Sequence, residues 1–183
     1  MQSQPSRLPV VVMGVSGTGK SSVAAALAHL LGVPWIDGDH LHAPEAVGRM
    51  RAGLPLTDED RWPWLDRVGA SLADCTAAPA GVIVACSALR RAYRDRLRAA
   101  SPDLRFVFLD GPPALVRHRM EQRVGHYMPP ALLDSQWLTL ERPDADEPDV
   151  LHVAIDMPVA LIVANVGARL LHRPQDATVR VSA

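Results

Sequence analysis

Gly14-Val15-Ser16-Gly17-Thr18-Gly19-Lys20-Ser21 spells a complete G-x-x-x-x-G-K-[ST] segment, and Lys20 is the only lysine in a chain with eighteen arginines. Glycines let a loop turn its backbone N–H groups inward, and such groups at a helix N-terminus bind phosphate oxygens. An ammonium on a thin stem can lie between the β- and γ-phosphates; a flat guanidinium does not fit that slot. The Ser21 hydroxyl offers the hard oxygen that Mg²⁺ takes. Gly14, Val15, Ser16, Gly17, Thr18, Gly19, Lys20, Ser21 and Ser22 are therefore read as nucleotide-binding, with Lys20 also catalytic and Ser21 a metal ligand.

Two further clusters could act on what the phosphate meets. Asp37-Gly38-Asp39-His40-Leu41-His42 places two carboxylates two residues apart. Phosphoryl transfer needs an acceptor hydroxyl held in line and its proton accepted, and a carboxylate in the cleft does both. His40 and His42 have no recognisable third ligand nearby, so a packing or capping role is favoured over a metal pair. Thr57-Asp58-Glu59-Asp60 is an acidic helix start with Thr57 or Asp58 as cap. Arg61 follows, beside Trp62 and Trp64. It could clamp a carboxylate through two parallel hydrogen bonds, or pair on the surface with Asp58 or Glu59.

The elements that must carry these residues are legible as alternating runs. Apolar, β-branched stretches at 8–13, 34–37, 81–86, 104–109 and 150–155 read as strands. Val23, Leu27, Leu30 and Leu31 share one helical face behind the loop. Further helices are expected near 61–77, 88–100, 113–124, 130–141 and 158–172. Strand–helix alternation implies a five-stranded parallel sheet with helices on both faces, and ligands at the carboxyl ends of the strands.

Length and charge narrow the classes. One domain over 183 residues is expected, with a core of about 8–172 and a frayed tail at 173–183. A net charge of −1 gives no electrostatic case for nucleic acid or a membrane surface. No apolar run is long enough for a transmembrane helix, and MQSQPSRLP lacks the apolar stretch of a signal peptide. Cys75 and Cys86 suggest neither a disulfide framework nor zinc, which fits a reduced cytoplasm; Cys86 reads as core.

The loop at 14–21, DGDxLH at 37–42, M-x-x-G-x-P-L-x-D-x-D-R-x-P-W-L at 50–65 and Cys86-Ser87-Ala88-Leu89 follow one another in an order that resembles the gluconate kinases. These are relatives of shikimate kinase in the nucleoside-monophosphate-kinase-like group of P-loop NTPases. The likeness continues through Gly125-His126-Tyr127 and Gln136 to Val150, and covers roughly residues 9–165. It implies a three-layer α/β fold with a mobile lid at about 119–135. It implies ATP and Mg²⁺ as cofactors, D-gluconate as substrate, and transfer to the 6-hydroxyl.

On that resemblance Asp39 is the first choice for general base, with Asp37 a partner of a hydroxyl or of magnesium-bound water. Arg61, Arg90 and Arg94 are clamp candidates, and Ser87 and His126 further substrate contacts. Arg119 would stack on adenine, and Arg123 would neutralise charge during transfer. Three positions depart from the family pattern: Arg90 stands where lysine is usual, Val124 where a basic residue is common, and Tyr127 where phenylalanine is usual. The family is often dimeric, so a homodimer is an expectation of the resemblance alone.

The rivals are a shikimate-kinase-like or other polyol-acid kinase and a nucleotide-binding regulatory module. A GTPase is excluded, because an Asn-Lys-x-Asp base-reading motif is impossible with Asn165 the only asparagine.

Overall fold

Val10, Val11, Val12 and Met13 are all buried, and a strand buried on both faces belongs in the middle of a parallel sheet. The computed structural model, which describes residues 8–74, 78, 80–122 and 130–171, places this strand there. Five parallel strands, β1 (Val10–Met13), β2 (Trp35–Asp37), β3 (Ile83–Ala85), β4 (Arg105–Asp110) and β5 (Val150–Ala154), lie in the order β2-β3-β1-β4-β5. The expected parallel α/β sheet is present.

Side chains alternate between two cores. Val10 and Val12 meet α1 (Lys20–Leu31) and α7 (Val159–Leu171) on one face. Val11 and Met13 meet α3 (Asp58–Ala73) and α4 (Arg91–Ala100) on the other. The connection from β1 to β2 runs through α1 on the first face, and the one from β3 to β4 through α4 on the second. The chain therefore departs in opposite directions from the neighbours β1 and β3. A crevice opens at their carboxyl ends, which is where open parallel sheets bind ligands.

Several boundaries differ from the expected ones for identifiable reasons. α3 begins at Asp58, three residues early, because Thr57 and Asp60 form a capping box. The Thr57 hydroxyl accepts from the Asp60 N–H at 3.2 Å, and the Asp60 carboxylate accepts from the Thr57 N–H at 2.9 Å. α4 begins at Arg91, not 88, because Ala88 sits at φ 43°, in the left-handed region a helix cannot contain. A single 3-10 turn (Gly38–Leu41) and α2 (Pro44–Arg51) were not expected from periodicity; proline at the first helical position marks α2. Leu30, expected on the buried face of α1, is 55 % exposed. α5 (Pro113–Glu121) and α6 (Pro130–Thr139) lie between β4 and β5. Much of the expected lid, and the tail at 173–183, fall outside the described residues.

Candidate active site

The phosphate loop joins β1 to α1. Gly14, Gly17 and Gly19 all adopt positive φ. At Gly17 the requirement is also steric, since a Cβ would stand 2.7 Å from Met120 Cγ of α5. The buried Thr18 hydroxyl donates to the Val15 carbonyl at 2.8 Å and braces the loop from within. Lys20 Nζ donates to the same carbonyl at 3.1 Å, which curls the ammonium over the cradle. Ser22 is exposed on the first turn of α1.

β2 delivers the two aspartates. Asp37 ends the strand, and its Oδ1 accepts from the Asp39 N–H at 3.1 Å, capping the 3-10 turn. Its Oδ2 accepts from the Ser21 hydroxyl at 2.8 Å. Ser21 and Asp37 are thus adjacent hard-oxygen groups, the donor type magnesium prefers. No cluster of three or more His, Cys, Asp or Glu occurs among the described residues, so phosphate oxygens and water would have to complete a magnesium shell. Gly38 cannot carry a side chain: a Cβ there would stand 2.5 Å from the Ala85 carbonyl oxygen. That close approach sets the turn against the end of β3, and the Trp64 indole N–H fastens it from α3 by donating to the Gly38 carbonyl at 2.7 Å.

Asp39, Lys20, Arg61, Ser87, Ser16 and His42 line one pocket, closed on a further side by Leu132, Ser135 and Gln136 of α6. The Ser87 carbonyl accepts from the Gly14 N–H at 3.3 Å, so the ends of β3 and β1 are locked together. Arg61 makes no ion pair with a described residue. Its Nε donates to the Leu56 carbonyl at 3.4 Å, and its guanidinium lies 5.8 Å from the Tyr93 ring centroid. The alternative surface pairing of Arg61 with Asp58 or Glu59 is absent among the described residues; Asp58 instead accepts from Arg90 at 2.7 Å and from the Tyr93 hydroxyl at 2.5 Å. His42 stacks on Trp64 with centroids 4.3 Å apart, the packing role expected of it. Burial drives its pKa down to about 4, with Arg61 and Arg67 assisting and Asp39 opposing, so the imidazole is neutral at pH 7.

Two clamp candidates are corrected. Arg94 is 1 % exposed, and its Nε and Nη2 each donate to Glu147 at 2.6 Å. Its Nη1 donates to the carbonyls of Ala88, Leu89 and Glu141. A buried guanidinium must be paired in this way, and at 1 % exposure it is out of reach of a substrate. Its task is to hold the left-handed turn at Ala88 that follows Ser87. Arg90 is bound to Asp58 at the start of α3 and does not line the pocket. Arg119 of α5 donates from Nη2 to the Ile155 carbonyl at 2.7 Å, beyond β5 and apart from this pocket. Arg123 and His126 lie outside the described residues.

Cys86 is core: burial pushes its thiol up to about 12. Glu147 behind the pocket and Gln136 lining it fall in the stretch that resembles the gluconate kinases, but neither has a role legible in the sequence. Their partners are 53 and 120 positions away, and only the fold brings them together. A larger cavity of about 490 Å³ between Asp110, Arg142, His152 and Asp156 contains no phosphate-loop residue.

A phosphate loop facing an acceptor pocket at the switch point of a parallel sheet defines a P-loop kinase of small molecules. The family profile described as "AAA domain" matches residues 10–143. The thermosensitive gluconokinase of Escherichia coli K12 is 46 % identical over 151 residues, spanning 82 % of this chain and 80 % of that protein. The crystal structure of a gluconokinase from Sinorhizobium meliloti 1021 superposes with a TM-score of 0.82 at 47 % identity, covering 93 % of this chain and 94 % of that one. Shikimate kinase from Aquifex aeolicus, at 16 % identity and a TM-score of 0.56 over 89 % and 96 % of the two chains, shares the fold alone. The chain belongs to the gluconokinase family. No described helix is long and apolar enough to cross a membrane.

Proposed function

We propose that this protein transfers the γ-phosphoryl group of ATP to the 6-hydroxyl of D-gluconate, giving 6-phosphogluconate and ADP. The observation that carries the reading is the convergence of Lys20, Asp39, Arg61 and Ser87 on one pocket at the mouth of the phosphate loop. The loop N–H groups and Lys20 hold the phosphates and stabilise charge as it spreads over the transferring group. Asp39 accepts the hydroxyl proton as the acceptor oxygen bonds to phosphorus and the bond to the bridging oxygen breaks. Arg61, which pairs with no acid among the described residues, clamps the substrate carboxylate, and Ser87 accepts or donates to a hydroxyl. Ser21 and Asp37 would hold Mg²⁺, which when bound neutralises phosphate charge.

Arg119 and Arg123 remain the residues proposed for the adenine and the transferring phosphate, and His126 a further substrate contact. A segment of about 119–135 would serve as a lid that keeps out water, a competing acceptor. Within this reading the enzyme works in the cytoplasm as one domain, and a homodimer is its proposed assembly.

A coupled ADP-release assay across gluconate, shikimate, other sugar acids and AMP tests the reading. Turnover on gluconate is expected. Turnover on shikimate or AMP with none on gluconate overturns it, and nucleotide binding without turnover on any sugar acid would favour the regulatory module.

A further inference from the structure

We propose that Gln136 is a positioning residue of the transfer, which fastens α6, one wall of the acceptor pocket, to Ser16 of the phosphate loop. The proposal rests on the kinase reading above. Gln136 Oε1 accepts from the Ser16 backbone N–H at 2.7 Å, and Gln136 Nε2 donates to the Ser16 hydroxyl at 3.1 Å. Both ends of one planar carboxamide therefore engage one loop residue, and both bonds are half-buried.

The position of this contact gives it a consequence for chemistry. Ser16 and Lys20 face the pocket from the donor side, and Asp39 and Arg61 from the acceptor side. Leu132, Ser135 and Gln136, all on α6, close it from a third direction. In-line transfer requires the reacting atoms to be held about 3–3.5 Å apart, and a misplacement of about 1 Å can cost 10²-fold in rate. Two hydrogen bonds between Gln136 and Ser16 hold this part of α6 in register with the donor side of the pocket. A glutamine supplies them without placing a negative charge beside a triphosphate. The acid on the same helix, Asp134, points instead to Arg117 of α5 at 2.8 Å.

Two substitutions separate this role from a purely structural one. Gln136→Glu keeps the size and can still accept from both Ser16 groups, but adds a charge beside the loop. It is expected to raise the ATP dissociation constant about tenfold or more, with the melting temperature of the nucleotide-free enzyme unchanged. Gln136→Ala is expected to lower kcat and raise the acceptor KM, together by about 10²-fold in kcat/KM, with the ATP KM held within about twofold. Hydrolysis of ATP without acceptor should rise relative to transfer.

Wild-type kcat and acceptor KM in Gln136→Ala would overturn the proposal. So would unchanged ATP affinity in Gln136→Glu. If Gln136→Ala does not fold, the glutamate variant decides alone. If the wild-type enzyme does not accept gluconate, the substrate reading fails, and the ATP titration of Gln136→Glu still decides this one.

Discussion

Arg61 and Arg94 are thirty-three positions apart in one chain, both near Tyr93, and they live in opposite surroundings. Arg94 is sealed between α4 and the 141–147 segment, where Glu147 and three carbonyls take its donors. Arg98 joins from the same helix, donating to Glu147 at 2.7 Å and to Asp149 at 2.8 Å. Arg61 faces a pocket with Asp39 and Lys20 and has no acid partner among the described residues. Under the proposed function, the arginine available to an anionic substrate is one that lines the pocket and whose charge no described acid engages. A fully paired guanidinium is scaffold, however close it stands in sequence to a motif.

The sharpest way to break this division is from the acceptor side. Asp39→Asn should lower kcat by about 10²–10⁴-fold while ATP binding stays near wild type. The coupled assay and a nucleotide titration check the two halves. A rate within a few-fold of wild type would move the base elsewhere, with Asp37 the alternative. On the scaffold side, Arg94→Ala removes one of the two guanidiniums that pair with the buried Glu147, leaving Arg98 at 2.7 Å, and should cost about 3 kcal/mol of stability by urea denaturation. The gluconate KM of whatever enzyme remains folded should change far less than in an Arg61 variant, because Arg94 does not line the pocket and reaches it only through the turn after Ser87. A raised KM with intact stability would restore Arg94 to the clamp.

The phosphate loop was readable because its chemistry is local: glycines, lysine and hydroxyl act within eight consecutive residues. The central strands were readable because burial on both faces demands unbroken apolar runs such as Val10–Met13, whereas the edge strands β2 and β5 are only partly buried. The roles of the arginines were not, because charge pairing is decided by contacts far apart in the chain. Arg94 sits in a run with Arg90, Arg91, Arg96 and Arg98. Nothing in its spacing tells that Glu147, in a stretch of loop, closes over it. The same holds for Gln136 and Ser16. Ala88 misled in a smaller way: it is a good helix former, yet carbonyl contacts from Arg94 hold it left-handed and delay α4. Strand order, with β1 central, is likewise absent from any single run of residues.

A smaller effect sharpens the meaning of an uncommitted charge. Arg61→Ala should raise the gluconate KM by about 10- to 100-fold, the worth of a hydrogen bond to a charged group, with stability nearly unchanged. Arg61→Lys should recover only part of this, since an ammonium cannot make the two parallel bonds of the guanidinium fork. An unaltered KM in both variants would move the clamp to another residue.

The smallest expected effect separates the two regions by pH. His42, beside Arg61, ordinarily titrates near 6.5 and is lowered by burial to about 4. In that interval the unfolded chain binds the proton more readily than the folded one. Its contribution to stability is therefore complete above about pH 6.5 and lost as the pH falls toward 4. Glu147 responds lower down. Burial alone would raise it, but the Arg94 and Arg98 guanidiniums hold it down to about 2 from an ordinary 4.5. Its contribution is complete above about pH 4.5 and lost as the pH falls toward 2. Chemical denaturation at a series of pH values should show two limbs. His42→Gln should flatten only the upper limb and Glu147→Gln only the lower one, at the price of a large constant loss in the second case. If His42→Gln leaves the upper limb in place, another group carries it. The neutral imidazole stacked on Trp64 would then contribute packing to the pocket wall and nothing to its response to acid.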